Sequence, residues 1–146
     1  MQQLLQILVA GGDRRQQYAA QKLAESPQLS VTTIGFSQSD SETLPEFDVL
    51  VLPIHTTAES VPSKNGNLSL PELLSHVKKG GLVCGGVLPE AVCRMCQEQE
   101  LCFCDYFQRE ELCLANAVPT VEGAIQIAIS ERETVLCGSS VLVIGY

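Results

Sequence analysis

The chain has 146 residues, 45% of them hydrophobic and 18% charged, which fits one ordinary core and excludes a disordered tail. Nine basic against 17 acidic side chains give a net charge of −8, so the overall field repels phosphate backbones and anionic lipid, and neither nucleic acid nor a membrane is an expected partner. A small anion would have to be drawn in locally, and the chain offers two basic doublets for that, Arg14-Arg15 and Lys78-Lys79.

Residues 4–10 form an apolar run ending at Gly11-Gly12, the pattern of a strand buried on both faces that feeds a tight turn. Asp13 is a good helix cap, and Tyr18, Ala19, Leu23 and Ala24 follow at helical spacing. Residues 29–36 are rich in β-branched side chains and predict a second strand. A third covers residues 47–54, with Pro53 at its end. The stretch 55–68 carries the turn signal Lys64-Asn65-Gly66 and reads as a loop.

A helix is predicted from Pro71 through Lys79, closing on Gly80-Gly81, with His76 inside it as a structural residue. Residues 82–84 then read as a short strand, 89–100 as a helix and 101–104 as a fifth strand. Strands alternating with helices predict an α/β fold: an open parallel five-stranded sheet flanked by helices, a flavodoxin-like or Rossmann-like three-layer sandwich. Beyond it, residues 109–117 look helical, Val118-Pro119 is expected to break that helix, and Thr120 to cap another over 121–131. The second of these has almost no polar face, which predicts a buried crossover helix.

No apolar run approaches the ~18 residues that span a bilayer, and the opening residues lack a basic segment ahead of their apolar stretch. The expectation is a cytoplasmic protein. Seven cysteines, mostly inside apolar runs, predict reduced thiols, most of them buried as small core residues. No metal site is expected, because Cys93 and Cys96 fall inside a predicted helix while Cys102 and Cys104 alternate along a strand. Cys93 is also too far into that helix for a redox pair at a helix start.

In open parallel sheets ligands bind beyond the carboxyl ends of the strands. Four stretches lie there: residues 11–15, Ile54-His55-Thr56-Thr57, Gly85-Gly86 and Asp105-Tyr106. At the first, Gly12, Asp13, Arg14 and Arg15 combine a backbone that can approach a ligand, the free amides of a helix start, and two cations that the helix dipole disfavours. A capped turn with solvated arginines is the plainer reading of the same residues. Asn116, Thr120 and Glu122 gather an amide, a hydroxyl and a carboxylate around the predicted second helix start, either as a polar site or as ordinary capping.

The opening VAGGDRRQQY, the pair Gly35-Phe36, the strand ending Val51-Leu52-Pro53, and NAVPTVEGAIQIAI followed by GSSVLVIG resemble the dipicolinate synthase A-subunit family of spore-forming bacteria. The resemblance runs along the whole chain and implies an N-terminal substrate-type domain over residues 1–138. Residues 139–146 would then be the first strand of a truncated NADP-binding Rossmann domain, with Gly145 as its first cofactor glycine, in an architecture like that of 2-hydroxyacid and alanine dehydrogenases. The implied activity is NADP-dependent oxidation of dihydrodipicolinate to dipicolinate in the mother cell during sporulation. The implied partner is the dipicolinate synthase B-subunit, a flavoprotein carrying FMN, and the implied ligand is a dicarboxylate; self-association is left open.

The isolated chain is expected to be inactive, because the phosphate-binding glycines would lie beyond it. Cys137-Gly138-Ser139 stands where the family carries His-Gly-Ser, so no role transfers to that position, and His55 is not named as catalytic. The alternatives are the substrate domain of another dehydrogenase of this architecture and a non-catalytic ligand-binding module.

Overall fold

The computed structural model describes residues 4–36 and 44–144. They belong to two compact units, Met1–Gln108 and Arg109–Tyr146. Among the described residues the first contains seven strands, three α-helices and a short 3-10 helix: β1 (Leu5–Ala10), α1 (Arg14–Ala24), β2 (Leu29–Ile34), β3 (Phe47–Val51), β4 (Ser60–Val61), β5 (Leu68–Ser69), α2 (Leu70–Ser75), β6 (Val77–Gly85), α3 (Glu90–Glu98), β7 (Cys102–Asp105) and the 3-10 turn Tyr106–Gln108. Five of the strands form one sheet in the order β2-β1-β3-β6-β7, every neighbouring pair parallel. This is the open five-stranded parallel sheet that the sequence predicts.

The alternation within β1 explains the layers. Ile7 and Val9 point to one face and Leu8 and Ala10 to the other, and the register places Val49 and Val51 beside the first pair and Leu50 beside Leu8. On one face, Leu8, Leu50, Leu52 and Val83 pack with Leu70, Leu73 and Leu74 of α2 and with Val92 and Cys96 of α3. The opposite face, with Ile7 and Val9, meets Ala20 and Leu23 of α1. Leu8, Leu50 and Leu52 are wholly buried, each stabilising the fold by about 1.5–3 kcal/mol through apolar burial.

Three elements of this unit differ from expectation. The helix predicted over 71–79 stops at Ser75, with His76 at its C-cap, and the chain continues as the nine-residue strand β6. The Phe47 amide donates to the His76 carbonyl and Gly80 has φ +74°, so pairing with β3 captures residues whose spacing alone looks helical. The loop over 55–68 contains the strand β4, which pairs antiparallel with β5 and buries Val61 completely.

The cysteines are also less buried than expected, since Cys96 alone is buried, Cys84 and Cys93 are intermediate, and Cys102, Cys104, Cys113 and Cys137 are exposed. Cys102 and Cys104 sit on the edge strand β7, in register with Leu82 and Cys84 of β6, where only one neighbouring strand flanks them. Among the described residues, no group of three or more His, Cys, Asp or Glu side chains is placed to hold a metal.

The second unit is built on α4 (Glu110–Ser130), one continuous helix with Pro119 inside it. The predicted break at Val118-Pro119 and the cap at Thr120 are therefore corrected. Proline forfeits one backbone hydrogen bond at a cost of about 3 kcal/mol, but bonds on either side carry the helix through. Thr120, instead of capping, donates its hydroxyl to the Asn116 carbonyl at 2.8 Å. No other element of this unit covers the helix, so Ile125, Ile127 and Ile129 are exposed where burial was expected. Uninterrupted at 21 residues, α4 is long and apolar enough by length and composition to cross a bilayer, a property it shares with core helices of water-soluble proteins. Val141–Ile144 pair with no strand in this unit, and Gly145 lies outside the described residues.

Candidate functional site

From β1 the chain passes through α1 to β2 on one side, whereas β3 lies on the other side of β1. The connections diverge at that point, beyond the carboxyl ends of β1 and β3, which is the switch point where doubly wound sheets in general form the crevice that binds ligands. Residues 11–16 and 52–56 border it.

The glycine turn uses its freedom to approach its own chain. Gly11 and Gly12 have φ of +60° and +85°, which favours glycine at both positions. A Cβ on Gly11 would strike the Pro62 carbonyl oxygen, and one on Gly12 would strike the Gln16 stem and Pro53. The Gly11 amide donates to Ile34 O at 2.8 Å and the Gly12 amide to Pro62 O at 2.6 Å. Both amides that a bound anion would need from the glycines are thus already bonded.

Asp13 caps α1, accepting from the Arg15 amide at 2.8 Å, and grips the same residue's guanidinium through Nε at 3.0–3.1 Å and Nη2 at 2.7 Å. The Arg15 side-chain hydrogen bonds hold the Asp13 carboxyl below the usual carboxylate range, and Asp13 in turn raises Arg15. Both side chains are more than half exposed, so the pair adds at most about 1 kcal/mol of stability. Arg14 is exposed and makes no ion pair among the described residues. The two arginines are therefore not equivalent: Arg15 is committed to Asp13 and Arg14 is available.

Gly12, Asp13, Arg14 and Arg15 lie together at this switch point. Asn116, Thr120 and Glu122 lie on α4 of the second unit, in mid-helix, so the helix-start site expected around them is not formed. Asn116 and Thr120 share a face by their i, i+4 spacing, and Glu122, two residues on, projects from nearly the opposite side.

The other crest residues are tied to one another by hydrogen bonds. The Tyr106 hydroxyl donates to Leu52 O at 3.2 Å, and its ring fills the space above Gly86, where a Cβ would collide with it. Burial pushes the Tyr106 phenol up, with Asp105 adding to the rise and Arg15 opposing it. Asp105 accepts backbone N–H bonds from Val87, Leu88 and Phe107. Thr56 is buried and donates to Pro53 O at 2.9 Å, while His55 beside it is exposed with φ +69°. Gln16 is the residue that sequence reasoning missed. It is 8% exposed, its stem against Gly12, whereas a glutamine in the first turns of a helix reads as surface.

The fold defines an α/β domain of the doubly wound class. The family model for the N-terminal domain of the dipicolinate synthase A-subunit matches residues 6–107, and the chain belongs to that family. It is 29% identical over 160 residues to the dipicolinate synthase A-subunit of Bacillus subtilis, an alignment covering 97% of this chain and 53% of that protein. The crystal structure of the B. subtilis A-subunit superposes with a TM-score of 0.69 at 25% identity, covering 92% of this chain and 50% of that one. The A-subunit from Bacillus halodurans superposes with a TM-score of 0.77 at 22% identity, covering 93% and 52%. The chain spans about half the length of the curated relative it matches.

Proposed function

We propose that this chain is the substrate-holding part of an oxidoreductase subunit that converts dihydrodipicolinate to dipicolinate, working with NADP and with a flavoprotein partner that carries FMN. The observation that carries the reading is the coincidence of the family match, residues 6–107, with the unit whose β1/β3 switch point has the unpaired Arg14 beside it. A carboxylate is bound most strongly by charge-assisted hydrogen bonds, and Arg14, which makes no ion pair among the described residues, can supply them.

The nucleotide belongs elsewhere. The Gly11 and Gly12 amides are bonded to Ile34 and Pro62, so this turn does not fit a pyrophosphate, and the NADP site is assigned to a further domain. NADP there supplies hydride chemistry, and the present residues bind and orient the diacid. The test is to combine the full-length subunit with its flavoprotein partner, NADP and enzymatically generated dihydrodipicolinate, and to follow dipicolinate by its ultraviolet absorbance. Product formation that needs the subunit supports the reading; no product above the uncatalysed background removes it.

A further inference from the structure

We propose that Cys84 and Cys104 are an oxidative modification site, a dithiol at the β6–β7 edge of the sheet that hydrogen peroxide converts to a reversible disulfide. Cys84 stands opposite Cys104 in the parallel register, between the pairs Leu82–Cys102 and Gly85–Asp105. Opposed residues on neighbouring strands share a face and lie about 4.7–4.9 Å apart, inside the span of roughly 4.4–6.8 Å between Cα atoms that a disulfide bridges. The two thiols also sense each other: burial pushes the Cys84 thiol up, and the charge of a Cys104 thiolate adds to the rise. Cys102 is the competing partner for Cys104. Side chains two residues apart on one strand leave it in parallel from points roughly 6.6 Å apart, at the far limit of that span and without converging.

Exposure sets the order of events. Cys104 is exposed and Cys84 only partly so, and a peroxide therefore meets Cys104 first. The Cys104 thiolate attacks one peroxide oxygen, the O–O bond breaks, hydroxide leaves, and Cys104 becomes a sulfenic acid. The Cys84 thiolate then attacks the Cys104 sulfur; the S–S bond forms, the S–O bond breaks and a second hydroxide leaves. The two protons given up by the thiols turn both hydroxides into water. Two thiols and one hydrogen peroxide thus yield one disulfide and two waters, with sulfur oxidised and peroxide oxygen reduced. The bond closes the segment 84–104, which carries the Gly85-Gly86 turn and α3, and fastens the edge strand to β6 just before Asp105. A disulfide at an exposed edge is of the readily reduced kind, so a thiol reductant reverses the modification.

The experiment treats the reduced full-length subunit with equimolar hydrogen peroxide, blocks the remaining thiols with iodoacetamide and maps the peptides without reduction. The expected main product is a peptide pair joined through Cys84 and Cys104, which dithiothreitol releases. Urea abolishes the register that holds the thiols together, so the same treatment in urea should give about tenfold less of this pair. In Cys84→Ser the sulfenic acid lacks its partner, and dimedone, which traps that acid, should label Cys104 about tenfold more than in wild type. Cys104 joined mainly to Cys102, equal dimedone labelling in the two proteins, or an unmodified Cys104 each overturns the proposal. A joined pair no more abundant in native protein than in urea overturns it too, and this comparison needs only the wild type should Cys84→Ser not fold.

Discussion

Lys78 reaches from β6 to Asp48 on β3, placing Nζ 2.7 Å from Oδ1, while the other carboxylate oxygen accepts the backbone N–H of Gln6 at 2.8 Å. One side chain thus links three adjacent strands at the end of the sheet opposite the switch point. The Lys78 hydrogen bond, aided by that of Gln6, holds the Asp48 carboxyl below the usual carboxylate range. A group whose pKa is lower folded than unfolded stabilises the fold fully above the unfolded value, about 3.9, and loses that contribution as pH falls through the folded value. Asp48→Asn is expected to cost about 1–2 kcal/mol at neutral pH, and the deficit should shrink in acid. Urea unfolding at pH 7 and near pH 3 checks this; a deficit that stays constant with pH would falsify the linkage.

Asp105 organises the crest beside the switch point. Its carboxylate accepts from Val87 at 3.1 Å, Leu88 at 2.9 Å and Phe107 at 2.9 Å, which holds Val87 at φ +56° and seats Tyr106 over Gly86. Asp105→Ala strips three donors of one acceptor and should destabilise the first unit by about 3 kcal/mol. Denaturant titration would show it as a lower midpoint, and a loss under about 1 kcal/mol would mean that water replaces the carboxylate without cost.

The thiols should separate by reactivity. Burial pushes the Cys96 thiol up to about 11, so near pH 8 almost none of it is thiolate, the reactive form. Cys102, Cys104 and Cys137 are exposed. A chromogenic disulfide reagent on the native protein should modify these three quickly and Cys96 only after unfolding, with peptide mapping assigning the sites. Rapid native labelling of Cys96 would contradict its place on the buried face of α3.

The two arginines at the switch point should differ in kinetics. Arg14→Ala in the assembled enzyme is expected to raise KM about tenfold or more through loss of a charge-assisted contact. Arg15→Ala should have the smaller effect, because its guanidinium is held by Asp13. If both variants keep wild-type kinetics, the pair is a solvated helix end and the diacid is held elsewhere.

Most of the sheet could be read from the sequence because its signals are local. The apolar run of β1, the Gly-Gly-Asp turn and the Pro89 start of α3 each need only their neighbours to be interpreted. The misreadings share the opposite property. Leu73, Leu74 and Val77 have helical spacing, and only pairing between Phe47 and Val77 draws the last into a strand. Pro119 looks like a stop because the cost of a proline is local while the bonds that carry α4 past it are cooperative. Gln16 looks like surface from its place in the first turns of a helix, yet the fold leaves it 8% exposed beside the Gly12 turn. The same distinction explains the cysteines, since position at a sheet edge is a fact of topology that hydrophobicity does not encode.

The central place of β3 has a consequence during translation. Its two neighbours are β1, already synthesised, and β6, whose Lys78 lies 30 positions after Asp48. At about 5–20 residues per second, the far edge of β3 waits roughly two to six seconds on the ribosome before its second partner emerges. In that interval Val49, Leu50 and Val51 present an apolar, half-paired strand, the kind of edge that recruits other nascent chains. Slow decoding between Asp48 and Gly85 would lengthen that exposure, so the yield of native protein from a cell depends on the rate at which this stretch is read.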